Sequence, residues 1–214
     1  EAKNAKIKAL NEQQYGHQVT LQDKLQKNWL SVTTAIAAAY GALAGGKQLI
    51  DAALAMDRIN YAMASSVGDA DKAAREYQYV REEAQRLGLG LNETALAYSK
   101  FAASARGTSL EGEQTRKVFS SVAEAATALR LPTEQTSGIF LALSQMMSKG
   151  KVQAEELRGQ LGERLPGAFN LAAQSMGVTT AELDEMLKKG EVTAADMLPK
   201  LAVVLHETYG GAAT

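Results

Sequence analysis

Apolar residues recur at steps of three and four along most of this chain, the spacing that places side chains on one face of an α-helix. Leu21, Leu25, Val32, Ile36 and Leu43, with Asn28 or Trp29 and Ala39 or Tyr40 between them, form a narrow heptad-like seam. The same pattern predicts that this helix runs on through Leu49, Ile50, Leu54 and Ile59. A continuous helix over residues 18–66 would extend roughly 70 Å at 1.5 Å per residue, longer than a domain of this size is wide. It must therefore pack on a partner or break, and the adjacent Gly45 and Gly46 mark the break, at about 2 kcal/mol of lost helix propensity.

Further along, Ala70, Ala73, Ala74, Tyr77, Val80, Ala84 and Leu87 make one helical face, ended by Gly88 and Gly90. A second helix is expected from Asn92 to about Ala105, stopping at Arg106 and Gly107. Val118, Phe119, Val122, Ala125, Ala126 and Leu129 form a third stripe; Ile139, Phe140, Leu143, Met146 and Met147 form a fourth, closed by Gly150. With Leu157, Leu161, Leu165, Phe169, Met176, Leu183, Leu187, Leu198, Leu201 and Leu205 these positions are expected to share one core. No run alternates apolar and polar residues long enough for a sheet, alanine is abundant and aromatics are 6% of residues, so the fold class is all-α. The three prolines, Pro132, Pro166 and Pro199, are each expected near a helix start, where a missing amide hydrogen costs nothing. The organisation read from this is a helical arm over residues 1–66, a compact multi-helix domain over 67–208, and a glycine-containing linker over 209–214 toward further chain.

The second half carries a repeated helix-start pattern. Val178, Thr179, Glu182 and Leu183 show it best: the Thr179 hydroxyl can accept from an amide left unpaired in the first turn, and Glu182 can reach back to the cap's own amide. Val178 and Leu183 flank this capping box as a hydrophobic staple. Val192, Thr193, Asp196 and Met197 repeat the arrangement, and Val152, Gln153, Glu156 and Leu157 give a version with a poorer cap. Asn92 is read as a further cap, with Leu91 and Leu96 as its staple and Glu93 at the first helical position.

Charge and composition remove several functions. The net charge is -1, from 23 basic and 24 acidic residues that are interspersed, so no field steers the chain to nucleic acid. Without cysteine there is no disulfide, thiolate catalysis or cysteine-ligated metal. His17 and His206 lie at opposite ends with no ligand-spaced neighbours, and no glycine-rich loop leads into Lys-Ser or Lys-Thr; no metal or cofactor is expected. Glu155, Glu156 and Glu163 could be imagined as a glycosidase pair, but helix capping explains Glu156 more simply and the segment lacks an aromatic cleft. Residues 28–46 carry no charge and just reach the length of a membrane span, yet Ala, Gly, Ser and Thr dominate them, so insertion would gain little. They read better as a helix that another helix can approach closely through Gly41 and Gly45. Leu21, Leu25, Val32, Ile36, Gly41, Leu43 and Gly45 are accordingly the candidate self-association residues.

One cluster stands apart. Arg158, Gly159, Gly162, Glu163, Arg164 and Gly167 combine glycines, which allow close backbone approach, with groups capable of directional polar contacts. They read either as an interhelical corner locked by its own Arg–Glu pairs or as a candidate interface for a partner.

The run QMMSKGKVQAEELRGQLGERLPGAFNLAAQSMGVTTAELDEMLKKGEV at 145–192 resembles the tape measure domain of long-tailed bacteriophage tail tape measure proteins. The resemblance extends through 56–80 and 87–131, about 150 of 214 residues, and Pro132 stands where that family would have a serine cap. It implies a virion structural protein, part of a much longer helical chain, that sets tail length as tube subunits polymerise around it. It implies self-association as a trimer or hexamer, partners among tail-tube, tail-assembly chaperone and tail-tip proteins, and residence in the tail lumen after assembly in the host cytoplasm. No catalytic residues carry over. The alternatives from other classes are a peptidoglycan-cleaving tail module and a membrane-inserting segment at 28–46 used in DNA ejection.

Overall fold

Helices account for nearly all of the backbone that the computed structural model describes, residues 46–213, with side chains described from Leu54 onward except Ala70. In order they are α1 (Gly46–Val67), α2 (Ala70–Leu87), α3 (Leu91–Ala105), α4 (Glu113–Ala128), α5 (Thr133–Lys149), a π-helical segment (Glu155–Leu161), α6 (Ala168–Met176), α7 (Thr180–Lys189) and α8 (Ala194–Tyr209). Among the described residues there is no strand, only a single antiparallel bridge between Lys151 and Thr193 that ties the loop after α5 to the loop before α8. None of the described helices is long and apolar enough to cross a membrane. The proposed arm lies, as far as residue 45, outside the described residues, as do all seven self-association candidates from Leu21 to Gly45 and nearly all of the 28–46 segment.

Two compact units part between Tyr77 and Gln78, inside α2, where the sequence places a domain start at 67. In the first unit Met56, Ile59 and Met63 are buried at steps of three and four on α1, and Ala73 and Tyr77 are buried on the first turns of α2. The Tyr77 hydroxyl reaches Met56 Sδ at 3.8 Å. Leu54, which the seam extrapolated from upstream would include, is instead exposed, because the α1 stripe runs through Met56.

The second unit is organised around α4, whose residues 121–126 are all buried. It packs most extensively on α8, while α3 packs on α5 and α6 on α8. Ser120 and Ser121 of α4 and Ala202 of α8 are small side chains beside that contact. On another face of α4, Phe119 stacks on Phe140 of α5 with ring centroids 4.5 Å apart, and meets Tyr98 of α3 edge-on at 4.9 Å. Phe101 closes the cluster at 5.6 Å from Phe140, and Tyr79 of α2 extends it at 5.5 Å from Tyr98. These pairings are the offset and edge geometries that the ring quadrupole favours.

Helix boundaries follow local chemistry. Gly150 and Gly177 end α5 and α6 with φ near +69°, a conformation costly for any residue with a Cβ. Thr179 starts α7 with both halves of a capping box: Glu182 N donates to Thr179 Oγ1 at 3.2 Å and Thr179 N donates to Glu182 Oε2 at 2.8 Å. That backbone bond, then the Thr179 hydroxyl, hold the Glu182 carboxyl below its ordinary value of 4.5. The charge on Glu182 therefore adds stability above that pH and the contribution is lost as pH falls through the depressed value. Thr179→Ala is expected to cost about 1 kcal/mol, read as a lower urea midpoint at unchanged slope.

Thr193 makes half the same box: it accepts from Asp196 N at 3.3 Å, while the Asp196 carboxylate pairs with Lys200 at 2.7 Å. Two cap assignments need correction. Asn92 does not cap; α3 begins one residue earlier with Gly90 as its cap, which puts Asn92 inside the first turn. Gln153 does not cap through its side chain, which accepts from Lys149 Nζ at 3.1 Å; only the reciprocal half is made, Gln153 N donating to Glu156 Oε2 at 3.0 Å. Pro199 lies inside α8 rather than near its start, so the Ala195 carbonyl forgoes its donor four residues on. The expected linker folds back instead: after α8 a 3₁₀ turn over Gly210–Ala212 returns Ala213 to pack on Leu87 and Ala123.

Candidate functional site

The π-helical segment and the turn after it gather the glycine and arginine cluster singled out from sequence. Its start is fixed by Glu156, a buried carboxylate that pairs with Lys149 of α5 and accepts from Gln153 N. Leu157 and Leu161 bury one side. The Gly162 amide donates to the Leu157 carbonyl, five residues back, at 3.0 Å, and the Glu163 amide to the Gly159 carbonyl at 3.0 Å. These two bonds step over the Arg158 carbonyl, which lies where a Gly162 side chain would begin. Such wide turns inside helices recur at functional positions.

The two arginines reach outward to three helices. The Arg158 guanidinium sits 4.0 Å from the centre of the Phe169 ring on α6 and donates to Asp184 of α7 at 2.8 Å. Lys188 first, and Arg158 after it, hold the Asp184 carboxyl below its ordinary value. Arg164 donates from Nη1 to the Gln160 carbonyl at 2.6 Å and lies against Gly138 of α5, where any Cβ would collide with it. The arginine partners are thus Asp184, Phe169 and a carbonyl, not the Glu163 that sequence reasoning paired with them; Glu163 is exposed. Gly167 takes φ +76° at the start of α6; neither it nor Gly159 has an atom within 4 Å of where its Cβ would be, so Gly167 is required by its backbone conformation and Gly159 by neither space nor conformation. Of the candidate interface residues, Arg158, Arg164, Gly162 and Gly167 serve the fold, whereas Gly159 and Glu163 face outward.

A second ionic centre was missed. Glu124, buried in the middle of α4, accepts from Arg86 Nη2 of α2 at 2.9 Å through one oxygen and meets His206 Nδ1 of α8 at 2.7 Å through the other. Arg86 also donates to Glu83 at 2.6 Å and to Ser120 Oγ at 3.2 Å. Burial works against the Arg86 charge, but the hydrogen bond and charge of Glu83, then those of Glu124, outweigh it and raise its pKa. Sequence held one signal: Glu124 is the sole charge between Val118 and Leu129, and a lone charge inside an apolar helix needs partners from neighbouring elements. The partners lie 38 and 82 residues away, out of reach of local pattern. Every carboxylate in these two centres that is buried is occupied by a cation or amide, which suits locking helices together rather than exchanging protons with a substrate.

Residues 47–214 match the family described as tape measure protein. The chain is also similar to a probable tape measure protein of Salmonella phage Felix O1 (isolate Felix O1-VT1), 34% identical over 207 residues, which is 96% of this chain and 27% of that protein. The chain thus spans about a quarter of the length of the curated relative it matches. No solved structure matches.

Proposed function

From the chain's membership of the tape measure protein family, we propose that it is a segment of a phage or prophage tail scaffold whose parent chain sets tail length while tube subunits polymerise around it. The observation that carries this reading is the family match along residues 47–214, which takes in the whole described helical body. The internal pairing of Glu124, Glu156, Arg158 and Arg164 supports it, because these groups tie α2, α4, α5, α6, α7 and α8 together and so favour a part that acts by binding and assembly, not by turnover.

In this reading the chain assembles in the host cytoplasm with tail-assembly chaperones, comes to lie in the tail lumen, and contacts the tail-tube and tail-tip proteins. Residues 21–45 supply self-association as a trimer or hexamer through their apolar seam and the Gly41–Gly45 spacing. Lysine cross-linking of purified tails, read by mass spectrometry, tests the placement. Links from Lys149, Lys151, Lys188 or Lys200 to tube subunits or to second copies of this chain are the expected result. Links confined to the outer surface of the tail would contradict it.

A further inference from the structure

Large apolar side chains lie on two opposite sides of α1. Met56, Ile59 and Met63 are buried, whereas from Leu54 to Val67 the exposed positions are Leu54, Asp57, Arg58, Tyr61 and Ser65, spaced at three and four along the other side. Leu54 is 54% and Tyr61 78% exposed. Between them Asp57 and Arg58 have no hydrogen bond or ion pair with any described residue. Ser65 asks nothing of a partner, because its hydroxyl donates to the carbonyls of Tyr61 at 2.8 Å and Ala62 at 3.0 Å. The stripe Leu54, Asp57, Arg58, Tyr61 therefore reads apolar, acidic, basic, apolar, set evenly about a midpoint between residues 57 and 58. Turned end for end it is its own complement: Leu54 meets Tyr61 and Asp57 meets Arg58. An isologous two-fold contact, in which one patch serves both sides, needs this property. Laid side by side in the same direction, two such stripes would instead set Asp57 beside Asp57 and Arg58 beside Arg58, which repel.

We propose that the outer face of α1 docks antiparallel on the same face of a second copy of this chain, with the two-fold axis between residues 57 and 58. Each contact is then made twice: two Leu54–Tyr61 contacts cover apolar surface, and two Asp57–Arg58 pairs fix the direction and register. A lipid surface suits this face poorly, because it would strip water from both central charges without pairing them. The order of the charges selects a second copy among protein partners, since the stripe already carries the complement of itself. Leu54 and Tyr61 are separated by roughly 10 Å along the helix at 1.5 Å per residue, about two turns, which falls short of the roughly 1,200 Å² that a lasting interface buries. The pairing is accordingly expected to be reversible. It rests neither on the tail-length reading nor on the association proposed for residues 21–45.

The chain has no cysteine, so introduced thiols report on one position each. Full chains carrying Leu54→Cys and Tyr61→Cys, one of them isotope-labelled, are mixed and joined with a short bis-maleimide, and the products are identified by mass spectrometry. Random collision gives as much 54-to-61 product as the two same-residue products together, whereas the antiparallel contact should favour it about tenfold. In chains otherwise unaltered, sedimentation equilibrium at low salt should show Asp57→Arg and Arg58→Asp each weakening self-association about tenfold, because like charges then face each other in both pairs. The double reversal restores opposite charges and should restore the affinity. Both side chains are exposed, so the thermal midpoint should hold in all three variants. Same-residue products equal to or above the 54-to-61 product, self-association untouched by either single reversal, or no recovery in the double reversal would each overturn the proposal.

Discussion

Phe119→Ala is expected to lower stability by about 3–5 kcal/mol, the range for deleting a fully buried aromatic ring. The ring is 1% exposed and touches three others, Tyr98, Phe101 and Phe140, so its loss opens a hole that no single neighbour can fill. Those rings come from α3 and α5, and the edge-on and stacked contacts are lost along with the buried area. Against a total stability of typically 5–15 kcal/mol, the variant should lose a large part of its margin. The thermal midpoint should fall by roughly 6–20 °C for a chain of this size. Phe119→Leu, which keeps most of the volume, should cost under about 1.5 kcal/mol. Urea unfolding of the three proteins checks this; a loss below about 1 kcal/mol for the alanine variant would mean that the aromatic cluster does not hold α3, α4 and α5 together.

Gly162→Ala is expected to cost about 1–3 kcal/mol, although a single methyl is added and the backbone there is ordinary right-handed helix. The new Cβ would run into the Arg158 carbonyl, and a backbone atom held in a turn cannot swing aside as a side-chain tip can. Relief would require the wide turn to tighten to α geometry, which would re-aim Arg158 away from Phe169 and Asp184. Gly159→Ala, three residues earlier, meets nothing within 4 Å and should be neutral or stabilise by up to about 1 kcal/mol through helix propensity. The opposite signs separate a glycine that the fold requires from one that it does not. Equal destabilisation by both would argue that the segment is an ordinary helix in solution.

The helices themselves were largely legible. Buried positions on α2, α4 and α5 fall on the stripes read from spacing, because Val80, Ala84, Val118, Val122, Ile139 and Met146 repeat at three and four and nothing local competes. Thr179 with Glu182 was legible for the same reason: the box is made of residues three apart and needs nothing beyond its own turn. What was not legible depends, the Asn92 cap apart, on partners distant in sequence. Asn92 lost the cap to Gly90 because Thr94 N and Thr94 Oγ1 both donate to the Gly90 carbonyl, at 3.0 and 2.7 Å, which moves the cap two residues up the chain. The partners of Glu124 are supplied by α2 and α8, and those of Arg158 by α6 and α7, contacts that exist only once the helices pack. Likewise Glu163 was expected to pair with its neighbouring arginines, but the wide turn points Arg164 toward Gly138 instead.

The scaffold reading makes a length prediction that binding experiments cannot supply. An in-frame duplication of residues 46–213 in the parent gene adds a helical segment worth at most roughly 250 Å at 1.5 Å per residue, and less if the second copy stays folded. Electron microscopy of tails from the phage carrying that duplication should show a single, longer population, extended by up to that amount. Tails of unchanged length, assembled with the longer protein inside them, would contradict the account.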